Sequence, residues 1–320
     1  MEQLKSFLKK MDLEYDTNIE YSICILNDDY DIIGTGSVDG NVIKCVAIDP
    51  KHQGEGLSSQ LISQLVQYEF EKARPHIFIY TKPKNFQMFS DMGFYTIMQT
   101  DKILFMENRK FGFWAFLNKL KEDSRDYCNG GISGAVVANC NPFTLGHHYL
   151  IEKALLQCDN LHLFILSDNR SRFSAKDRYE MVKLGISDLK NVILHQTSDY
   201  IISSVTFPTY FFKDKVQGEQ ANCELDLEIF GLRVAPELGI SKRFVGTEPF
   251  CNVTAAYNMQ MKQILPKYGI EVIEIERDAK DNIPVSASQV RKLLDEENIS
   301  EVKKLVPEAV LEYLYASKIK

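Results

Sequence analysis

The chain has 320 residues, of which 45% are hydrophobic and 25% are charged, and its net charge is −7 with a pI of about 5.5. This length and composition predict a soluble globular protein of two domains. An acidic chain lacks the basic face that nucleic-acid binding needs, so we expect no nucleic-acid partner. ATP binding is not excluded, because backbone N–H groups and a few local cations can hold phosphates.

The cysteines and the apolar runs indicate a cytoplasmic protein. The chain has seven cysteines, an odd number, and none belongs to a C-x-x-C pair, which predicts reduced thiols and no metal site. The first residues, MEQLKSFLKKMDLEYD, contain no apolar core of a signal peptide, and no apolar run approaches the ~20 residues of a membrane span. We therefore expect no contact with a membrane.

Residues 1–125 predict a first domain of mixed α+β structure, in which alternating residues indicate strands and 3.6-residue periods indicate helices. The expected elements are strands at Tyr21–Leu26 and Asn41–Ile48, a helix at Leu57–Lys72, a strand at His76–Tyr80, a helix from Asn85 to Gly93, a strand at Lys102–Met106 and a helix at Lys110–Glu122. This order is typical of a sheet covered by helices.

Residues 126–320 predict a second domain in which strands and helices alternate. The expected elements are strands at Ser133–Ala138, Leu161–Leu166, Val192–His195, Arg243–Gly246 and Glu271–Ile275, with helices from Gly146, at Lys176–Gly185 and from Ser288 onward. The stretch between residues 196 and 242 shows no clear period, so we expect it to be irregular. The alternation predicts a Rossmann-like parallel sheet, which binds ligands at the carboxyl ends of its strands.

The segment Asn139-Cys140-Asn141-Pro142-Phe143-Thr144-Leu145-Gly146-His147 follows the first strand of the second domain and opens a helix. A helix N-terminus offers N–H groups and a positive dipole end to a phosphate. Gly146 allows close backbone approach, and the Thr144 hydroxyl and the His147 imidazole can donate hydrogen bonds. The plainer interpretation is that Thr144 caps the helix and His147 lies at the surface, but the order of strand, proline and T-x-G-H favours a functional site.

A second segment, Pro284-Val285-Ser286-Ala287-Ser288-Gln289-Val290-Arg291, opens a later helix. Serines at a helix start are ordinary caps. Arg291 lies one turn into the helix, and its planar guanidinium suits phosphate oxygens, so this segment predicts a second set of phosphate contacts.

Two further segments are weaker candidates. Ser171–Arg178 carries three cations after a strand, which fits a phosphate-facing loop as well as a solvated helix start, and Phe244–Phe250 follows another strand end. The residues predicted to bind ATP are Asn139, Asn141, Pro142, Phe143, Gly146, Arg178, Gly246, Thr247, Glu248, Ser286 and Ser288, and the predicted catalytic residues are His147, Thr144 and Arg291.

These motifs resemble the Thr/His-x-Gly-His nucleotidyltransferase superfamily, whose members cleave ATP between the α- and β-phosphates; the isoleucine usual before the serines is Val285 here. Longer stretches resemble the citrate lyase ligase family: NPFTLGHHYLIEKA, SRFSAKDR, SDYIISSVTFPTYFFKD, RFVGTEPFCNVTAAYN and PVSASQVRKLL. With the N-terminal segments VIKCVAI, GEGLS, HIFIYTK and GF, this resemblance covers nearly the whole chain.

The first domain resembles the N-acetyltransferase (GNAT) fold. The loop Gln53-Gly54-Glu55-Gly56-Leu57-Ser58 is similar to the pyrophosphate loop of that fold, although Ser58 departs from its last position. A plain turn between strand and helix is the alternative. The resemblance implies a site for a CoA-like thiol arm at Val46, Ile48, Gln53, Gly54, Gly56, Leu57, Ser58 and Asn85.

The family resemblance implies an AMP-forming acid–thiol ligase. With ATP, Mg²⁺ and acetate, it would acetylate the thiol of the prosthetic arm on the acyl-carrier subunit of citrate lyase and so activate that enzyme. His147 would contact phosphate oxygens in the transition state, and Arg291 would contact the β- and γ-phosphates. The residues alone also leave open a dinucleotide-forming adenylyltransferase, an acetyl-CoA-dependent N-acetyltransferase and a non-catalytic ATP- or CoA-sensing module.

Overall fold

The computed structural model describes residues 1–16, 18–125, 130–167, 171–201, 215–247, 252–276, 279–280 and 283–316. The chain forms two compact units, one of Met1–Ala115 with Ser204–Asp226 and one of Phe116–Ser203 with Leu227–Lys320. The domain boundary expected after residue 125 stays a prediction. Within the described ranges, no helix is long and apolar enough to cross a membrane.

The first unit contains a six-stranded sheet with helices. Its elements are α1 (Glu2–Lys10), β1 (Tyr21–Leu26), β2 (Ile32–Asp39), β3 (Val42–Ile48), α2 (Leu57–Glu71), β4 (Phe78–Thr81), α3 (Phe86–Asp91), β5 (Tyr95–Gln99) and β6 (Leu104–Glu107), with short 3₁₀ turns at Pro50–His52 and Pro83–Asn85. The strand order is β1-β2-β3-β4-β6-β5. Only the β3–β4 pair is parallel, and the other neighbouring strands are antiparallel.

The parallel strands β3 and β4 pair over a short length. Their register joins Val42 to Phe78 and Ile43 to Ile79. From Lys44 to Ile48, β3 has no ladder partner in β4. The two strands therefore separate toward their carboxyl ends and leave backbone groups of β3 without a strand partner on that side.

The sequence did not indicate α1, β2 or β5. Strand β2 carries Gly34 and Gly36, and glycine is depleted in strands because it has no side chain to pack. Here both glycines serve close packing, because a Cβ at Gly36 would lie 2.8 Å from the Leu65 side chain of α2, and one at Gly34 would lie 2.9 Å from Ile48. Helix α2 thus packs directly on the sheet.

The second unit contains a five-stranded parallel sheet. Helix α4 (Gly112–Ser124) leads into it, and its remaining elements are β7 (Ser133–Ala138), α5 (Leu145–Leu155), β8 (Asn160–Ile165), α6 (Ala175–Gly185), β9 (Val192–Gln196), α7 (Lys215–Ile229, which begins in the first unit), α8 (Ala235–Leu238), β10 (Ile240–Gly246), α9 (Asn252–Ile264), β11 (Glu271–Ile275), β12 (Ala279–Lys280), β13 (Ile283–Pro284), α10 (Ala287–Asp295), α11 (Ile299–Val302) and α12 (Glu308–Ala316).

The strand order β11-β10-β7-β8-β9 confirms the predicted parallel sheet. The chain builds outward from β7 in one direction to β9, then returns to place β10 on the other side of β7. The order therefore switches between β7 and β10, which is where open parallel sheets bind ligands. One face of the sheet packs into a core that includes Leu163, Phe244 and Val290.

The prediction of an irregular stretch between residues 196 and 242 is wrong. That stretch contains α7, a π-helical turn at Phe230–Val234, and α8. Helix α7 shows no simple apolar stripe because it buries the polar residues Asn222 and Asp226 alongside Ala221 and Leu225. A helix that buries polar groups gives no clear hydrophobic period.

Candidate active site

The start of α5 holds the first predicted motif in a defined geometry. Thr144 is the N-cap, and its hydroxyl accepts a hydrogen bond from the backbone N–H of His147 at 3.4 Å. In return, the backbone N–H of Thr144 donates to Nδ1 of His147 at 3.0 Å. Because Nδ1 accepts this bond, the proton of the neutral imidazole lies on Nε2. The structure therefore shows the helix cap of the plainer interpretation of Thr144, and the same bonds fix the orientation of the His147 ring.

The loop between β7 and α5 is buried from Cys140 to Thr144 and is held by hydrogen bonds. Asn141 is 8% exposed, and its Oδ1 accepts a hydrogen bond from the backbone N–H of Phe173 at 3.2 Å. Phe143 is fully buried and stacks on the His147 ring, with centroids 5.6 Å apart. Burial raises the pKa of the Cys140 thiol to about 12, so this cysteine is protonated and is not a nucleophile at neutral pH.

The second motif opens α10 as expected. Ser286 is the N-cap of this helix, and its hydroxyl accepts a hydrogen bond from the backbone N–H of Gln289 at 3.2 Å. Arg291 donates from Nη2 to the Ser288 hydroxyl at 2.9 Å. The guanidinium of Arg291 is thus oriented by its own helix.

The structure brings the two motifs together. Arg291 donates from Nη1 to the backbone carbonyl of Asn141 at 2.6 Å. A Cβ added at Gly146 would lie 2.8 Å from the backbone oxygen of Val285, so α5 and the segment before α10 are in direct contact. The helix starts that carry Thr144 and Ser286 therefore lie side by side, which creates one region with two sets of helix N-terminal N–H groups.

Arg178 lies inside the protein. Its side chain is fully buried, and it donates from Nε to the carbonyl of Phe173 at 3.2 Å and from Nη1 to the carbonyl of Asn139 at 3.0 Å. Nη1 also bonds the Asn139 side chain. The structure thus shows Arg178 bonded to the loop after β7, and its predicted contact with ATP stays a prediction.

Arg172 was predicted only as one of three cations in its segment, and the structure shows it bonded to α10, the helix that carries Arg291. It donates from Nη1 to the backbone carbonyl of Arg291 at 2.9 Å and to Asp295 at 2.6 Å. The three cations of this segment indicated that one of them could bond within the site. The sequence does not show which of the three side chains point into the protein.

Gly246 and Thr247 lie at the carboxyl end of β10, beside β7. The Gly246 carbonyl accepts a hydrogen bond from the Asn258 side chain at 3.1 Å, and the backbone N–H of Thr247 donates to the Ile275 carbonyl at 3.0 Å. Because β7 and β10 are parallel neighbours, Asn139 and Thr247 follow strand ends at the same edge of the sheet. Glu248 lies outside the described residues, as do residues 202–214 of the tract used for the family resemblance.

The first unit contains a cavity of about 880 Å³ that includes all the residues predicted for the thiol arm. The cavity opens where β3 and β4 separate. Gly54 and Gly56 have φ of +91° and +78°, which L-residues rarely adopt, so the loop requires glycine at both positions. Asn85 donates to the Thr81 hydroxyl at 2.7 Å and lines the opposite wall.

Comparison with known proteins identifies the family. Residues 133–314 match the family model for the citrate lyase ligase C-terminal domain. The chain is 44% identical to the citrate (pro-3S)-lyase ligase of Haemophilus influenzae, over 97% of this chain and 94% of that protein. The chain belongs to the citrate lyase ligase family. It is also 41% identical to the family member of Klebsiella pneumoniae (98% of this chain, 92% of that protein) and 40% identical to that of Escherichia coli (98% and 90%).

Membership of the citrate lyase ligase family makes this chain an enzyme and accounts for both units. Residues 1–103 match the model for the acetyltransferase (GNAT) domain, and the C-terminal family model spans the parallel sheet. The predicted fold class, a GNAT-like α+β domain followed by a Rossmann-like parallel-sheet domain, is confirmed. The assignment of the second domain as a nucleotidyltransferase stays a prediction. The roles of the individual site residues stay predictions.

Proposed function

We propose that the chain is an AMP-forming ligase that activates acetate with ATP and acetylates the prosthetic thiol on the acyl-carrier subunit of citrate lyase. The relatives at 40–44% identity are named ligases of citrate lyase, which supports that enzyme as the partner. The observation that carries the chemical proposal is the 2.6 Å bond from Arg291 to the Asn141 carbonyl, because it joins the two phosphate-binding motifs at one place.

In the first step, an acetate oxygen attacks the α-phosphorus of ATP and the bond to the pyrophosphate oxygen breaks. Acetate is a carboxylate with a pKa near ~4, so it is ionised at neutral pH and needs no general base. The obstacles are repulsion between anions and the charge that develops on the leaving pyrophosphate. Donors fixed in advance around the phosphates lower both costs.

The described residues supply such donors. Because Nδ1 of His147 accepts the Thr144 amide, Nε2 carries the proton and would donate to an α-phosphate oxygen as charge develops. Arg291 would contact the β- and γ-phosphates, while Thr144 and Ser288 would orient the chain of phosphates. The remaining residues predicted to bind ATP would shape the nucleotide site around these four.

In the second step, the thiolate of the prosthetic arm attacks the carbonyl carbon of acetyl-adenylate, and AMP leaves with the bonding electrons. The cavity of the first unit would hold the arm: Gly54 and Gly56 would present backbone N–H groups to its pyrophosphate, and β3 would pair with its extended amides. Because the same chain would bind the arm and make the adenylate, the effective concentration of the thiol at the adenylate would be higher than that of a free thiol.

The chain itself offers no cage for the expected Mg²⁺ in the residues that the structure describes, since no three His, Cys, Asp or Glu side chains cluster there. Mg²⁺ commonly binds through substrate phosphates and water rather than through a protein cage. We therefore assign no step to the metal and expect it to enter with ATP.

The test is exchange of labelled pyrophosphate into ATP with and without acetate. Acetate-dependent exchange is expected, because formation of acetyl-adenylate is reversible. Formation of ADP and phosphate would overturn the proposal, as would exchange that ignores acetate, which would indicate a dinucleotide-forming enzyme. Acetylation of the carrier thiol by acetyl-CoA without ATP would instead place the chemistry in the first unit.

A further inference from the structure

We propose that Arg178 is a positioning residue for the ligase reaction: it fixes the loop Asn139–Phe143 through hydrogen bonds and, contrary to the sequence prediction, does not bind ATP itself. This inference rests on the proposed function. It concerns how the second unit holds its phosphate donors in place, and it gives a buried cation a role that its sequence position does not reveal.

The burial and bonding of Arg178 support this role. The side chain has no exposed surface, and its Nε and Nη1 groups point to the Phe173 and Asn139 carbonyls and to the Asn139 side chain. A guanidinium is a rigid planar fork, so several bonds from one fork fix the positions of its acceptors relative to each other. Arg178 thus holds residue 139, where β7 ends, and residue 173, which precedes α6, in one arrangement.

The arrangement continues to the catalytic motifs through hydrogen bonds. Phe173, whose carbonyl accepts from Arg178, donates its backbone N–H to Asn141 Oδ1 at 3.2 Å. The Asn141 carbonyl in turn accepts the 2.6 Å bond from Arg291. Arg178 is therefore two hydrogen-bonded residues away from a predicted phosphate donor. A displacement of about 1 Å in a catalytic group can cost on the order of 10²-fold in rate.

A direct contact with phosphate is the alternative, and it predicts different kinetics. Loss of a charge-assisted bond to bound ATP would weaken ATP binding by roughly 10- to 100-fold. Loss of a positioning residue would instead lower the turnover number and leave the ATP dissociation constant nearly unchanged, because alignment matters most in the transition state.

The experiment compares Arg178→Met, Arg178→Lys, Asn139→Ala and the double variant Arg178→Met/Asn139→Ala in the full chain. Lys183→Met removes an exposed cation from the same helix and is the control. For each variant, acetate-dependent pyrophosphate exchange gives the turnover number, equilibrium titration gives the ATP dissociation constant, and thermal unfolding reports folding.

We expect Arg178→Met to lower turnover by about 10²-fold with little change in ATP binding. Arg178→Lys should be nearly as impaired, because an ammonium cannot reproduce the fork. Arg178 acts in part through Asn139. The fold-loss of turnover in the double variant should therefore be smaller than the product of the fold-losses in the two single variants. If Arg178→Met does not fold, Arg178→Lys must show the same loss of turnover with ATP binding retained.

Weaker ATP binding that Arg178→Lys restores would overturn the inference in favour of a phosphate contact. Multiplicative losses in the double variant, or a lower thermal midpoint with normal turnover, would also overturn it. Absence of acetate-dependent exchange in the wild-type chain would contradict the proposed function. That result is distinct from every outcome for the variants.

Discussion

Gly146 lies against the backbone of Val285, so that a Cβ at Gly146 would come within 2.8 Å of the Val285 carbonyl oxygen. This contact joins the helix start that carries His147 to the segment that carries Ser286. The glycine of the T-x-G-H motif therefore has a packing function between motifs, in addition to any approach of its backbone to a ligand.

The first prediction concerns this contact. Gly146→Ala should force α5 away from Val285, lower the thermal midpoint and reduce pyrophosphate exchange by about 10²-fold through misalignment. Helix propensity alone gives the opposite sign for stability, because alanine is favoured over glycine in a helix by about 1 kcal/mol. A variant with a higher thermal midpoint and normal exchange would show that the contact is unimportant.

The second prediction separates the two nitrogens of His147. The amide oxygen of asparagine can replace Nδ1 as acceptor of the Thr144 N–H, but asparagine has no donor at the Nε2 position. His147→Asn should therefore keep most of the stability and lower the turnover number on the order of 10²–10³-fold. Steady-state exchange and thermal unfolding measure the two effects.

The neighbouring His148 is the matched control for this prediction. His148 lies beside the carboxylates of Asp188 and Glu152, at 3.2 and 3.3 Å, and makes none of the bonds of the Thr144 cap. His148→Asn should therefore leave exchange at the wild-type level. Equal losses in the two asparagine variants would refute a specific donor role for His147.

The third prediction assigns the two half-reactions to different units. Gly56 has φ of +78° at the N-cap of α2, with open space where a Cβ would lie, so Gly56→Val strains the loop without a clash. Pyrophosphate exchange should survive, and acetylation of the carrier thiol should fail. Both are measured on the same preparation.

Gly40→Val is the control for backbone strain in the same unit. Gly40 also has a positive φ, +55°, with nothing within 4 Å of its Cβ position, but it lies in the turn between β2 and β3, outside the cavity. If both glycine variants lose thiol acetylation equally, the loop has no specific role. If Gly56→Val loses neither half-reaction, the arm binds elsewhere.

The sequence predicted all five strands of the second unit's parallel sheet, because each is a short run rich in apolar and β-branched residues that alternates with helical segments. Glu271–Ile275 and Ser133–Ala138 were predicted to the residue. Strand β2 was missed because Gly34 and Gly36 weaken its pattern, although their purpose is close packing with Ile48 and α2. Such packing depends on residues distant in the chain, which a local pattern cannot show.

The candidate site shows the same division between local and distant information. Caps such as Thr144 and Ser286 depend on the next three residues, so the sequence indicates them directly. The burial of Arg178 and the bond from Arg172 to the Arg291 carbonyl depend on contacts across more than 30 residues. For a basic residue near a strand end, the sequence cannot separate a phosphate ligand from a structural cation.

The last prediction concerns acid stability. His162 on β8 and His195 on β9 are buried side by side, with Nδ1 of the first 3.0 Å from Nε2 of the second. Burial lowers the pKa of His162 to about 4 and that of His195 to about 3. One neutral ring donates to the other, and protonation of both would place two cations in contact away from water.

The direction of the pH effect follows from these values. In the unfolded chain both imidazoles have pKa values near ~6.5, so the unfolded state binds more protons between about pH 6.5 and pH 4. The free energy of unfolding should therefore be unaffected by this pair above pH 7 and fall as the pH drops, by up to about 1.4 kcal/mol per pH unit for each imidazole. Urea unfolding from pH 7.5 to pH 4.5 measures this slope.

Replacement of the pair isolates its contribution from that of the carboxylates. His162→Leu/His195→Leu should flatten the slope, whatever its effect on stability at pH 7.5. Phe164→Leu is the matched control, because Phe164 stacks on His195 with centroids 4.8 Å apart and does not titrate. It should lower stability equally at every pH and keep the wild-type slope. If the double variant kept that slope as well, the buried histidines would not be neutral in the native state. A pair that is already charged in the folded protein takes up no protons on unfolding and so adds nothing to the slope.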